Sequence, residues 1–332
     1  MRLKLWVLCF LLSGLSLAQA ASMKPPIPKV TILPWNGHQA ALSLTFDDGD
    51  PIHLDLVIPE LNKRQLHGTF FLIANKTDRK DEWRKALAAG HEIGNHSLDH
   101  VHVSQLHSPQ EEEAQVRGAQ NVLQKEFGIS IYSFAYPFTE ITPGLKAQVE
   151  KTDLWARGGA GIYDLKPNAE PDWMNIPAHM TNQSAPFSTY KAWVDEALKD
   201  GAWTTFMVHG VEGTPWGYEP VPKTVFLQTL DYLTGKDLWV GTFSEVASYF
   251  KAQRIFEGAE CVAFEGGWKW TWNLPARFPL GVKLKLRFEG KWDPKAMILS
   301  QDGKVITPDT KGIYSIAADK KELILKRLLP KT

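Results

Sequence analysis

Two stretches of this sequence hold side chains that could do chemistry together. SLTFDDGD, residues 43–50, ends an apolar run on two adjacent carboxylates, Asp47 and Asp48. Such neighbours repel, and a strand that only has to turn finishes more simply in Gly, Asn or Ser. EIGNHSLDHVH, residues 92–102, brings three His. His96 and His100 stand at i and i+4, so on one helical turn both rings would face one side and could share a cation. No Glu follows the first His, unlike the zincin pattern, so a third ligand and a base must come from elsewhere. Asp47 and Asp48 are the candidates: one carboxylate can bind the metal while the other stays free to take a proton from water. Zn²⁺ on two His and one Asp keeps an open position for water, lowers the pKa of that water to near ~7 and polarises a carbonyl. Co²⁺ or Ni²⁺ would accept the same ligands. A general acid must then protonate the leaving group, and His209, closing the apolar run TTFMV, is the natural choice.

From Ala40 onward the chain alternates strand and helix. ALSLTF, HGTFFLI, HEIGNH, IYSFAYPF, WTTFMVHG and LWVGTF read as strands. HLDLVIPELNKR, DEWRKALAAG, SPQEEEAQVRGAQNVLQKEFG, residues 143–151, STYKAWVDEALKDG, KTVFLQTLDYL and SEVASYFKAQ read as helices. Ser108 and Glu111 spell a capping box, with Pro109 in the first turn. Repeated strand–helix units predict a parallel sheet or barrel, whose functional residues gather at the C-terminal ends of strands. Asp47, Asp48, His96, Phe138 and His209 all fall there, on four separate strands.

The rest of the chain has other textures. MRLKLWVLCFLLSGLSLAQA, residues 1–20, has a basic start, an apolar middle and an Ala-Gln-Ala end, the pattern of a cleaved secretory signal. Export to the periplasm or the medium is expected, with no membrane anchor after cleavage. Residues 21–39 are a Pro-rich, extended arm. Residues 40–252 form the alternating unit. From 253 to 332, short alternating runs such as WKWTW and KLKLRF between Gly and Asp turns predict a small all-β domain. Of the two Cys, Cys9 leaves with the signal, so Cys261 has no partner within the mature chain. Equal numbers of basic and acidic residues, 37 each, argue against a nucleic-acid backbone as partner. Oligomeric state is not legible.

TFDDGD, HEIGNHSLDH, FAYPF and FMVHG, in this order and at these intervals, resemble the motifs of the polysaccharide deacetylase (NodB-homology) family, carbohydrate esterase family four. The resemblance covers about residues 40–250. It implies a distorted (β/α) barrel and metal-dependent removal of acetyl groups from sugars. By position it makes Asp47 the catalytic base, Asp48, His96 and His100 the metal ligands, and His209 the general acid. Phe138 takes the place of the residue whose backbone N–H helps to hold the oxyanion. The sequence departs from the family where an Arg that contacts the catalytic Asp is common, because Ala135 stands there. Arg157, in DLWARGG, could replace it from another loop. Phe138 stands where Tyr is common, and Thr139 where Gly is common.

Tyr136, Phe138, Arg157 and Trp216 are grouped as the oxyanion and substrate residues. Trp173, Trp216 and Tyr218 could stack on sugar faces. Trp268, Trp270 and Trp272 share one strand face and read as core or seam in preference to a glycan platform. His91 reads as structural, His102 and His107 as exposed loop residues, and His179 as ambiguous, outside the cleft in preference to lining it. The reading is an acetylated-carbohydrate hydrolase acting on N-acetyl groups. Its alternatives are an O-acetyl esterase on xylan or a similar polymer, and a glycan-binding protein that has lost catalysis.

Overall fold

The computed structural model describes residues 27–159, 164–216, 218–290 and 296–327. The signal segment 1–20 and the start of the arm lie outside them. Among the described residues, nine strands precede the C-terminal region: β1 Val30–Ile32, β2 Ala40–Asp48, β3 Gly68–Leu72, β4 Glu92–Asn95, β5 Ser133–Ala135, β6 Trp155–Arg157, β7 His179–Met180, β8 Trp203–Val208 and β9 Leu238–Val240. β2 to β9 form one eight-stranded sheet in the order β6-β5-β4-β3-β2-β8-β7, with β9 added to the start of β2. Every pairing in it is parallel. Helices cover its outer face, so β2 is buried on both faces up to Asp47 and reads as a continuous apolar run.

The sheet curls almost shut. Ile176 donates to Ala156 O and accepts from Gly158 N, at 2.8 and 2.9 Å, beside β6. Three residues later the same segment pairs with β8 as β7. One stretch thus bridges both edges and makes a distorted (β/α) barrel. β6 and β7 are too short to show a period, and neither was legible as a strand. The expected strand IYSFAYPF is regular only over Ser133–Ala135, and Pro137–Thr139 is a 3₁₀ turn. The helix beginning at Ser108 forms as read, with Ser108 Oγ accepting from Glu111 N at 3.3 Å, and carries a π turn at Ala114–Gly118. The expected box is displaced by one residue, because the Glu111 carboxylate takes the His107 N–H.

Seven further strands follow: β10 Glu260–Phe264, β11 Gly267–Thr271, β12 Lys283–Phe288, β13 Met297–Gln301, β14 Lys304–Ile306, β15 Tyr314–Ala317 and β16 Glu322–Arg327. They make a five-stranded antiparallel sheet, β10-β11-β16-β13-β14, and a three-stranded one, β1-β12-β15. The N-terminal arm is therefore not free along its length. Val30–Ile32 pairs with Leu286–Phe288, and Trp35 is fully buried, its Nε1 donating to Gly201 O at 2.6 Å. The helix Phe243–Glu257 runs across the expected boundary at 252/253.

The β-rich region shares its core with the barrel. Trp268, Trp270 and Trp272 are buried in one cluster with Phe71, Trp155, Trp203 and Phe250. Trp272 meets Phe256 edge-on at 5.1 Å and donates to Ala318 O at 2.7 Å. They are core and seam, as read, and not a sugar platform. A core Trp of this kind contributes about 3–5 kcal/mol against truncation to Ala. The seam closes the barrel end opposite to the Asp47–Asp48 turn, since β9 and the buried helix Phe243–Glu257 adjoin the start of β2.

Candidate active site

The turn that ends β2 sets its two carboxylates apart. Neighbouring strand residues point to opposite faces. The chain then bends through two left-handed residues, Asp48 at φ 72° and Gly49 at φ 74°. Asp tolerates that region better than most residues, and Gly enters it freely. Both carboxylates border the cleft, Asp47 buried at 1% exposure and Asp48 half-buried beside the two His.

Asp47 is held by Arg157, which reaches it from β6. The guanidinium donates to both carboxylate oxygens, at 2.8 and 2.6 Å, and also to Thr45 Oγ1 at 3.1 Å. Its carbon lies 5.2 Å from the centre of the Phe71 ring. Burial pushes the Asp47 carboxyl up. Arg157 first, then His96 and His209, outweigh it and hold Asp47 below the ordinary carboxylate value. The structure thus places Arg157 against the carboxylate that Ala135 leaves without an Arg.

Asp48 faces the two His. Its Oδ1 lies 3.4 Å from His96 Nε2 and 3.4 Å from His100 Nε2. Among the described residues, Asp48, His96 and His100 are the set of ligand atoms gathered within 4.8 Å of one another. The set fits a divalent cation on three counts. Asp48 Oδ1 is buried with no hydrogen-bond partner. His96 Nδ1 bonds to Ala135 O at 2.9 Å, which leaves the Nε2 lone pair turned to the cleft. Burial pushes both imidazoles down, yet Asp47 and Asp48 draw His96 above its ordinary value, while burial first and then His96 take His100 down to about 4. The two rings compete for one positive charge beside two carboxylates, and a bound cation would supply it.

The two His do not share a helical turn. Residues 96–102 form a loop, with Ser97 at φ 67° and His100 at φ 59°. Asn95 Oδ1 accepts from Ser97 N at 2.9 Å, and Ser97 Oγ accepts from His100 N at 3.0 Å. Short polar side chains capture the amides that a helix would use. The rings still meet, their centres 4.7 Å apart. The i, i+4 spacing works here because the loop is bent.

His209 follows β8, and its Nε2 lies 3.9 Å from Asp47 Oδ2. Burial holds it below its ordinary value, with Asp47 and Asp48 pulling the other way. His53 bonds to its carbonyl at 2.7 Å, and Tyr218 meets its ring edge-on at 4.7 Å. Phe138 stands in the 3₁₀ turn after β5 at φ 53°. Both hydrogen bonds of that turn use the amides of Thr139 and Glu140, not that of Phe138. These groups border a cleft of about 380 Å³, with Met180 and Tyr218 on its rim.

The structure therefore brings together Asp47, Asp48, His96, His100, Phe138, Arg157 and His209. Tyr136 borders the cleft, but its ring is buried against Phe134. Trp216 is exposed and outside the cleft wall, while Trp173 packs on Phe250 and under Lys251. His179 does not line the cleft either: it bonds to Asp164 at 3.2 Å and stacks on Trp193. His91 is structural, bonded to Gly68 N and Asn62. Sequence reasoning missed His53, Met180 and Asp50. Asp50, the third acid of TFDDGD, accepts from Ile52 N at 3.0 Å and from the Thr214 hydroxyl, tying the β2 turn to the loop that carries Trp216 and Tyr218. An acid two residues past the pair was the available signal.

Residues 36–155 match the family model described as polysaccharide deacetylase. A gellan lyase from Bacillus sp. is 23% identical over 281 residues, 76% of this chain and 11% of that protein. The peptidoglycan-N-acetylmuramic acid deacetylase PdaC of Bacillus subtilis (strain 168) is 29% identical over 138 residues, 41% of this chain and 27% of that protein. The chain thus spans roughly a tenth and roughly a quarter of these two relatives. A Mycobacterium smegmatis protein described as a polysaccharide deacetylase shares the fold, with TM-score 0.54 at 16% identity over 70% of this chain and 96% of that one.

Proposed function

Because the barrel belongs to the polysaccharide deacetylase (NodB-homology) family, we propose that this chain is a metal-dependent carbohydrate deacetylase that removes N-acetyl groups from amino-sugar polymers or oligomers. The observation that carries the reading is the unequal setting of two adjacent carboxylates. Asp47 is locked by Arg157 inside the barrel, and Asp48 is turned to two imidazole nitrogens.

Asp48, His96 and His100 would hold the cation, and zinc suits two His and one Asp. When bound, it supplies Lewis acidity: it polarises the acyl carbonyl and brings the pKa of water near ~7. Asp47, kept ionised by Arg157, takes a proton from the attacking water. The Phe138 N–H donates to the oxygen that gains negative charge. His209, 3.9 Å from Asp47, passes the proton that Asp47 takes from water on to the departing amine, and acetate and the free amino sugar result. Met180 and Tyr218 form an apolar rim against which a sugar ring can lie. The N-acetyl preference rests on the relative named for acting on N-acetylmuramic acid. We also propose export, from the 1–20 pattern alone.

Acetate release from N-acetylglucosamine oligomers and from acetylated xylan tests the bond acted on. Faster release from the amino sugar is expected. Release from xylan alone would make the protein an esterase, and release from neither would overturn the proposal.

A further inference from the structure

We propose that His102 and Glu140 are positioning residues that clamp the Phe138 turn to the metal-ligand loop and so aim the Phe138 N–H. The inference rests on the deacetylase reading. His102 follows the His96–His100 pair, but it does not join Asp48, His96 and His100 in the metal set. Its ring lies flat on Phe138, with centres 3.7 Å apart and planes 13° from parallel. Its Nδ1 bonds to Glu140 Oε1 at 3.0 Å, while Glu140 Oε2 accepts from Val103 N at 2.8 Å. One carboxylate thus ties both residues of the loop to the end of the turn. The His102 backbone is itself fixed, since its N–H donates to Gln105 Oε1 and its carbonyl accepts from Gln105 N, each at 2.9 Å.

The turn needs such support. Phe138 and Thr139 are consecutive non-glycine residues in the left-handed region, at φ 53° and 59°. That conformation is unfavourable for residues with a Cβ and persists only when the surroundings impose it. Phe138 is 46% exposed, so its ring is not anchored in a core. Its ring partners among the described residues are the flat face of His102 and, at 4.4 Å, the ring of His100. The clamp therefore joins the ligand that holds the cation to the amide that meets the oxyanion. A relaxed turn would move that amide while leaving the three metal ligands in place.

The test compares His102→Ala, Glu140→Ala and His102→Phe, with His107→Ala as a surface control. In the two alanine variants kcat is expected to fall about tenfold, less than the ~10²–10³ of losing an oxyanion donor outright. KM and zinc affinity should stay within about twofold, because neither residue touches substrate or metal. His102→Phe keeps the flat stack but loses the bond to Glu140, so it should recover only part of kcat. Hydrogen exchange at Thr139 and Glu140 amides should quicken in the alanine variants and not in the control. This second readout needs no turnover, so a wild-type protein that releases no acetate would defeat the deacetylase reading while exchange still decides the clamp. Unchanged exchange in both alanine variants would overturn the proposal. So would unchanged kcat in an active enzyme, or a loss confined to zinc affinity.

Discussion

Asp48→Asn is expected to bind zinc more than about 100-fold more weakly, since even outer partners of metal ligands are worth ~10–100-fold. Asp47→Asn should keep the metal and lose about 10²–10⁴ in turnover, the usual contribution of a general base. The two residues are adjacent and nearly isosteric with their replacements, so the contrast isolates setting from chemistry. Asp48 Oδ1 is buried without a hydrogen bond and lies 3.4 Å from two imidazoles. Asp47 has both oxygens taken by Arg157. Zinc titration of each variant, read beside single-turnover acetate release, checks the division. Equal loss of metal in both variants would show that the carboxylates are not specialised.

Arg157→Ala carries the second large effect, and it falls on stability as well as rate. The guanidinium and Asp47 are each about 1% exposed, so removing one partner strands a buried charge. Breaking such a pair costs about 3–5 kcal/mol. Arg157→Lys should recover only part of it, because an ammonium cannot meet both oxygens at once. The pH dependence has a definite sign. Asp47 is depressed in the folded state, so its contribution is fully present above its ordinary pKa and is lost as pH falls through the lowered value. Without Arg157, burial dominates and the carboxyl rises, so the acid limb of kcat/KM should move to higher pH. Denaturant unfolding and a pH–rate profile check both parts. Wild-type activity and stability in Arg157→Ala would remove Arg157 from the account.

Much of this site was legible because its chemistry is written in contiguous motifs. Asp47, Asp48, His96, Phe138 and His209 lie at or just past strand ends, where the alternating pattern puts them. Arg157 was legible only as a substitute for the Arg missing at Ala135, since three-residue β6 has no period of its own. The loop at 96–102 was misread because i, i+4 spacing is shared by a helical turn and by a bend with two left-handed residues. Only the side-chain bonds of Asn95 and Ser97 separate the two. The pairing of Val30–Ile32 with β12 was invisible for another reason. It joins residues about 250 apart, and no local pattern encodes a partner at that distance. His179 and Trp216 show the same limit: their residue types suit a sugar cleft, but tertiary packing decides which way each side chain turns.

The most direct test is acetate release from N-acetylglucosamine oligomers by the protein as isolated, after chelation, and after zinc is restored. The account predicts release that stops on chelation and returns with about one zinc per chain, the capacity of one His₂Asp set. Release that persists through complete chelation, with no metal bound, would contradict it.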